Sequence, residues 1–383
     1  MRSTSGQYYP GLDHLRALAA FLVFGWHFTH GGPVPYGGGL SADFLVLAPF
    51  DEGHCGVALF MTLSGYLFAK LLDGKRIHYA NFVWNRFIRL APLLIVIFVV
   101  NGTLIALHPT THRIDVVSGL SLREYIKMLL TGFIGWTWPN GGWSITVEMH
   151  FYLLFPMILW LKRQWRQSLV CVLAGSVILR AVLYAINGEV HFLAYGTIIG
   201  RIDQFIVGII AFDNRHLIKQ QHGWLIVLTV GFLILYQYYG SSGGFWRYFP
   251  SPSPDKIWIV LPTIEGAYFG FLISYYDNSF RFRRGVVSDL ITKIGACSYS
   301  IYLLHPYVVW PAARIAARLV PGIHTFAVAE LAALGCFALL VPVAWVSYRL
   351  IECPFARFRR KYSDRKPSAE IVFGVTAKEL AAQ

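Results

Sequence analysis

Apolar residues in this chain come in long blocks, and ten of those blocks are long enough to cross a bilayer as helices. They lie near 12–29, 54–72, 88–107, 144–161, 168–186, 194–212, 223–239, 256–276, 291–312 and 326–350. One more block, 125–137, is short and runs into "WTWPNGGW", so it reads as either an eleventh span or a re-entrant or interfacial piece. Basic residues decide between these counts, because short cytoplasmic loops collect Lys and Arg. Five clusters stand between or after the blocks: Lys70, Lys75, Arg76 and Arg86; Lys162, Arg163 and Arg166; Arg215 and Lys219; Arg281, Arg283 and Arg284; Arg357, Arg359, Arg360 and Lys361. All five fall on one side only if 125–137 does not cross. The expected fold is therefore an all-α polytopic membrane protein with about ten transmembrane helices and both termini cytoplasmic. Residues 1–355 form its membrane domain, and 356–383 form a basic tail, disordered over 362–383.

The same topology sends three distinctive loops outward: the Gly/Pro-rich 30–54, the polar 108–124, and 239–256, where Trp246, Tyr248 and Phe249 suit either sugar stacking or the membrane interface. The first block has Arg16 at its entrance and a His-Gly-Gly exit without a small-residue cleavage site, so it is expected to be a retained span. Composition agrees with the membrane reading: 56% of residues are hydrophobic and 14% charged, and the mean hydropathy is +0.51. The excess of 33 Lys and Arg over 20 Asp and Glu lies in short runs between apolar blocks, which suits an anionic leaflet and not nucleic acid. Five scattered cysteines without a paired spacing point to neither a zinc site nor a disulfide framework.

An ionisable side chain inside hydrocarbon costs several kcal/mol unless paired or wet, so His27, Glu148, Arg201, Asp203, Glu265, His305 and Glu330 are the residues to weigh. Within "LRALAAFLVFGWH" Arg16 and His27 stand about 1100° apart, three turns plus about 20°, and about 16 Å apart along a helix. They share one stripe, half a bilayer from each other. Arg86 and Arg89, i and i+3, present a fork suited to phosphates, or simply anchor the span. Ser144 and Glu148, i and i+4, share a face at the level expected for His27; Glu148 is positioned to orient that imidazole, to bind an acceptor hydroxyl, or to cap its own helix. Arg201 and Asp203 read as a structural ion pair or as part of the chemistry, and His305, before Pro306, as a supporting group. Glu265 and Glu330 have no evident partner.

In order along the chain, several segments resemble one family. The Arg16-x10-His27 spacing in "GLDHLRALAAFLVFGWH", "FMTLSGYLFAK" around Ser64 and Gly65, "NRFIRLAP" with Arg86 and Arg89, "WSITVEMHFY" with Trp143, Ser144 and Glu148, "RIDQFIVG" with Arg201, and "YSIYLLHP" ending in His305 together resemble the membrane-bound acyltransferase-3 family over residues 8–355. His14 departs from the small residue common at its position, which bears on packing around Arg16. The resemblance is to the stand-alone type, without an appended hydrolase-like domain.

What the resemblance implies is O-acylation, most often O-acetylation, of a carbohydrate or glycolipid hydroxyl by a multi-pass protein of the bacterial inner membrane. Acetyl-CoA or another acyl-CoA is the donor, its phosphates on Arg16, Arg86 and Arg89, and no metal is involved. His27 and Glu148 are the expected catalytic residues; Ser64, Trp143, Ser144, Arg201 and His305 the expected substrate contacts. His27 acts either as general base or through an acyl-imidazole. A proton-coupled transporter or flippase using His27, Glu148 and Asp203 is the alternative, and it calls for two related halves that the sequence does not display. Membrane lipids are expected partners, nucleic acid is not, and the acceptor sugar and oligomeric state are not legible.

Overall fold

The computed structural model describes residues 9–30, 44–107, 121–132, 134, 138, 140–165, 167–248, 251–280, 282, 285–321 and 323–365. Every apolar block becomes helix. In chain order these are α1 (Pro10–His30), α2 (Cys55–Leu72), α3 (Tyr79–Leu107), α4 (Leu122–Thr131), α5 (Trp143–Gln164), α6 (Ser168–Asn187), α7 (His191–Gly196), α8 (Ile198–Asp213), α9 (His222–Ser241), α10 (Leu261–Ser279), α11 (Val286–Ala296), α12 (Ser298–Leu319) and α13 (Phe326–Ser347). Among the described residues six helices, α2, α3, α5, α6, α9 and the run from Phe326 to Phe358, are long and apolar enough to cross a membrane.

Three of the expected continuous blocks are interrupted, 256–276 at Val260, between a 3-10 turn over Lys256–Ile259 and α10. Thr197 adopts extended backbone between α7 and α8, and its hydroxyl accepts from the Gly200 amide at 3.2 Å, capping α8. Cys297 likewise separates α11 from α12. The short block at 125–137 yields α4, ten residues opened by a capping box between Ser121 and Glu124. At about 15 Å it is too short to span. Residues 31–43 and 108–120, most of two expected outer loops, fall outside the described residues, as do Arg166, Arg281, Arg283, Arg284, Phe249 and the Trp246 side chain.

The core forms where backbone meets backbone. The spanning window of α2 is 78% buried, against 17% for α6 and for α9, so α2 is the central helix and those two are peripheral. A Cβ on Gly65 would lie 1.9 Å from the Phe205 carbonyl oxygen, and one on Gly208 would lie 2.2 Å from that of Thr62. The segments "FMTLSGYLFAK" and "RIDQFIVG" therefore meet each other as a small-residue crossing of α2 on α8. His14, the departure noted above, hydrogen-bonds Tyr276 of α10 at 3.0 Å and Thr292 of α11 at 3.1 Å, fastening the start of α1.

Ion pairs tie the basic ends together. Lys70 meets Asp277 at 2.5 Å, Lys162 meets Asp213 at 2.6 Å, and Arg215 meets Asp73 at 3.3 Å, which brings the C-terminal ends of α2, α5, α8 and α10 to one face. The chain's last described stretch joins them. Strand β1 (Lys75–Ile77) pairs antiparallel with β2 (Ser363–Arg365), and Tyr362 is buried. Asn85 donates to the Arg360 carbonyl at 2.7 Å and accepts from its amide at 2.8 Å. The expectation of a tail disordered from 362 onward is thus corrected as far as Arg365: a ladder of three residue pairs and a buried tyrosine hold it against the start of α3. Residues 366–383 lie outside the described residues.

Candidate active site

Helix periodicity aims three rows of side chains at one chamber. Ser144, Glu148 and Tyr152 follow i, i+4, i+8 on α5; Phe60, Ser64 and Phe68 do the same on α2; Arg86 and Arg89 are i, i+3 on α3. With Arg16 of α1 and Ser298, Tyr299 and Tyr302 of α12 they line a cavity of about 770 Å³, counted out to its open mouth. Six of the ten expected site residues are here: Arg16, Ser64, Arg86, Arg89, Ser144 and Glu148. Tyr152, Tyr299 and Tyr302 join them unforeseen; the four-residue spacing of Tyr152 from Glu148 was a usable signal.

Charge in the chamber is lopsided. Three guanidiniums and one carboxylate line it, and one of the three, Arg16, is paired with Asp13 outside the lining. Arg16 donates to Asp13 at 2.6 Å and is half-buried. Arg86 is buried, its guanidinium 5.0 Å from the Phe68 ring centre and 5.7 Å from that of Phe82, and its Nε has no hydrogen-bond partner. Glu148 accepts from Ser64 Oγ at 2.9 Å and from the Tyr152 hydroxyl. The expected partnership of Glu148 with His27 is not formed: the carboxylate is engaged by α2 and its own helix, on the arginine side of the chamber.

His27 has other company. Its Nδ1 donates to the Val23 carbonyl at 2.8 Å, and its ring centre is 4.8 Å from that of His305. His305 in turn directs Nδ1 to the Tyr302 carbonyl at 2.5 Å. A carbonyl only accepts, so each ring carries a proton on Nδ1, and in its neutral form leaves a lone pair on Nε2. The Nε2 of His305 is buried with no partner. Tyr302 links this pair to the chamber: its hydroxyl accepts from Ser144 Oγ at 2.8 Å and donates to the Gly141 carbonyl at 3.0 Å.

Trp143 and Arg201 belong to a separate buried network. The Arg201 guanidinium lies 4.5 Å from the Tyr195 ring centre and 5.6 Å from that of Trp143, and it donates to Gln204 at 3.0 Å. Glu265, expected to be partnerless, accepts from Gln204 at 2.9 Å and Tyr236 at 2.6 Å and stands 3.9 Å from Arg201. The Arg201–Asp203 ion pair is corrected: two positions apart on α8, the side chains point about 200° from each other around the helix, and Asp203 pairs with Arg180 at 2.8 Å. Arg180, inside the apolar run of α6, was missed by the sequence reading although it is an intramembrane charge. Glu330 packs against Gly25 of α1, with neither carboxylate oxygen hydrogen-bonded. Among the described residues no group of three His, Cys, Asp or Glu is placed to hold a metal ion.

A helical membrane protein with a cationic chamber beside an imidazole pair is the class these features define. The chain belongs to the acyltransferase-3 family, whose model, an acyltransferase domain, matches residues 9–348. Two relatives are O-acetyltransferase OatA of Staphylococcus aureus strains NCTC 8325 and COL, each 25% identical over 391 residues, 92% of this chain and 58% of the relative. A further protein of strain COL, itself named only as a candidate O-acetyltransferase, is 25% identical over 400 residues, covering 94% of this chain and 59% of the relative. The chain thus spans somewhat more than half the length of the curated relatives it matches. No solved structure matches it.

Proposed function

We propose that the protein moves an acyl group, acetyl in the simplest case, from acyl-CoA held at the basic face to a hydroxyl of a carbohydrate or glycolipid on the other side of a bacterial inner membrane. The observation that carries this reading is the chamber's positive lining, Arg86 and Arg89 with only Glu148 among the lining residues to offset them and Arg16, paired with Asp13, beside them, which fits a polyanionic donor. The names of the relatives favour acetyl. The clustering of basic helix ends by Lys70–Asp277, Lys162–Asp213 and the β1–β2 pairing supports ten spans with both ends of the chain cytoplasmic.

In this scheme the Nε2 of His27 takes the acceptor's hydroxyl proton as its oxygen attacks the thioester carbonyl. The C–S bond breaks, and the thiolate leaves with the proton that the imidazole returns. His305, 4.8 Å away ring to ring, holds a second lone pair for that shuttle. Glu148 fixes Ser64 and Tyr152 around the pantetheine arm. The test uses purified protein in vesicles of known orientation. Acyl-CoA supports transfer only from the basic face, and His27→Ala abolishes transfer at equal folded abundance. Activity of that variant above a few per cent of wild type removes His27 from the role; donor accepted equally from both faces removes the through-membrane arrangement.

A further inference from the structure

The wall that closes the chamber between α3 and α5 has a second face. Behind it runs an open groove between α3, α4 and α5, formed by Leu90, Leu94 and Phe98 of α3, Met149 of α5, Leu130 of α4 and Trp138. Among the described residues lining it, Arg86 carries the one charge and Tyr152 the one hydroxyl, and these two with Leu90 line the chamber as well. From Arg86 to Phe98 the groove follows α3 for about 18 Å, more than the ~15 Å depth of one leaflet's hydrocarbon. Ile95 and Val99 at its rim are 57% and 62% exposed, so it opens sideways, where the bilayer lies.

A guanidinium at one end of an apolar trough needs a counter-charge, and Arg86 is 9% exposed with Nε unpartnered. The occupant that meets both demands is an amphiphile with an anionic head and a long hydrocarbon chain. A fatty acyl-CoA does not fit the geometry: the groove leaves the chamber at its arginines, where a donor places phosphates and not its acyl end. We propose that the groove binds one chain of an anionic phospholipid from the leaflet at the basic face, with the lipid phosphate on Arg86. This rests on the donor-chamber reading in one respect, that a single guanidinium then faces lipid on one side and donor on the other.

The experiment reconstitutes the full chain in phosphatidylcholine vesicles doped with phosphatidylglycerol or phosphatidylcholine carrying a diazirine at the chain end, followed by irradiation and peptide mapping. Phosphatidylglycerol is expected to label peptides containing Phe98 and Met149 several-fold more than phosphatidylcholine does. Labelling of α9, a peripheral helix without such a groove, should be the same for both lipids. Ile95→Trp, which fills the rim, should remove the groove label and leave coenzyme A binding unchanged. Equal groove labelling by the two lipids, or labelling that survives Ile95→Trp, overturns the proposal. Groove labelling that persists in protein unable to bind coenzyme A leaves the lipid site standing and sinks the donor chamber instead.

Discussion

Alanine at Gly65 should loosen the protein and the site together, while alanine at Gly335 should do neither. At Gly65 the new methyl meets the Phe205 carbonyl oxygen at 1.9 Å. The obstacle is backbone, so no rotamer relieves it, and α2 and α8 must part by about 1 Å before the contact is tolerable. Overpacking of this kind costs ~1–3 kcal/mol, against which alanine's higher helix propensity recovers up to ~1 kcal/mol. At Gly335 a Cβ has nothing within 4 Å. Only the propensity gain remains there, so the two variants shift stability in opposite directions. Ser64, next to Gly65, is 2.9 Å from Glu148; a 1 Å retreat of α2 stretches that bond past useful length. The assay is the apparent melting temperature of detergent-solubilised protein, read beside acyl transfer. Gly65→Ala melting at or above wild type would refute the backbone-crossing argument, as would an equal loss in Gly335→Ala.

Other substitutions separate the chamber from the scaffold. Arg89→Ala should weaken coenzyme A binding by about 10- to 150-fold, the equivalent of ~1.5–3 kcal/mol for a charge-assisted contact; calorimetry in detergent reads it, and an unchanged affinity removes Arg89 from the phosphate seat. Glu148→Gln should lower turnover while holding or raising donor affinity, because it deletes the one carboxylate that lines the chamber with Arg86 and Arg89; a fall in affinity with turnover intact contradicts the assignment. Arg180→Ala, which strands a fully buried Asp203, should cost ~3–5 kcal/mol and show as lost folded protein, partly recovered by adding Asp203→Asn.

Hydropathy and charge made most of the architecture legible, since a lipid-exposed helix must be apolar along its whole length and its loops must carry the basic residues. The Arg16, Arg86 and Arg89 grouping was legible for the same reason: three guanidiniums assigned to one depth had to find one another. Rotation about each helix axis was not. Nothing local to "WSITVEMHFY" tells whether Glu148 turns toward α1 or toward Ser64 of α2, and the structure chooses α2. Asp203 had two arginines within reach of a linear reading, one two residues away and one on α6; only packing selects Arg180. The breaks at Thr197 and Cys297 fall in apolar sequence without proline, so hydropathy ran straight through them.

The clasp between β1 and β2 also constrains how the protein is made. Lys75 pairs with Arg365, and about 290 residues separate them, so at ~5–20 residues per second the first partner waits roughly 15–60 s for the second to be synthesised. Through that interval the start of α3 lacks the carbonyl and amide of Arg360 that occupy Asn85 in the finished molecule. A nascent chain is therefore open at the end where the arginines sit, and it closes there only after Ser363–Arg365 have been made. The clasp acts as a completion mark: a chain that stalls late keeps an unzipped, polar doorway at the end where the arginines sit.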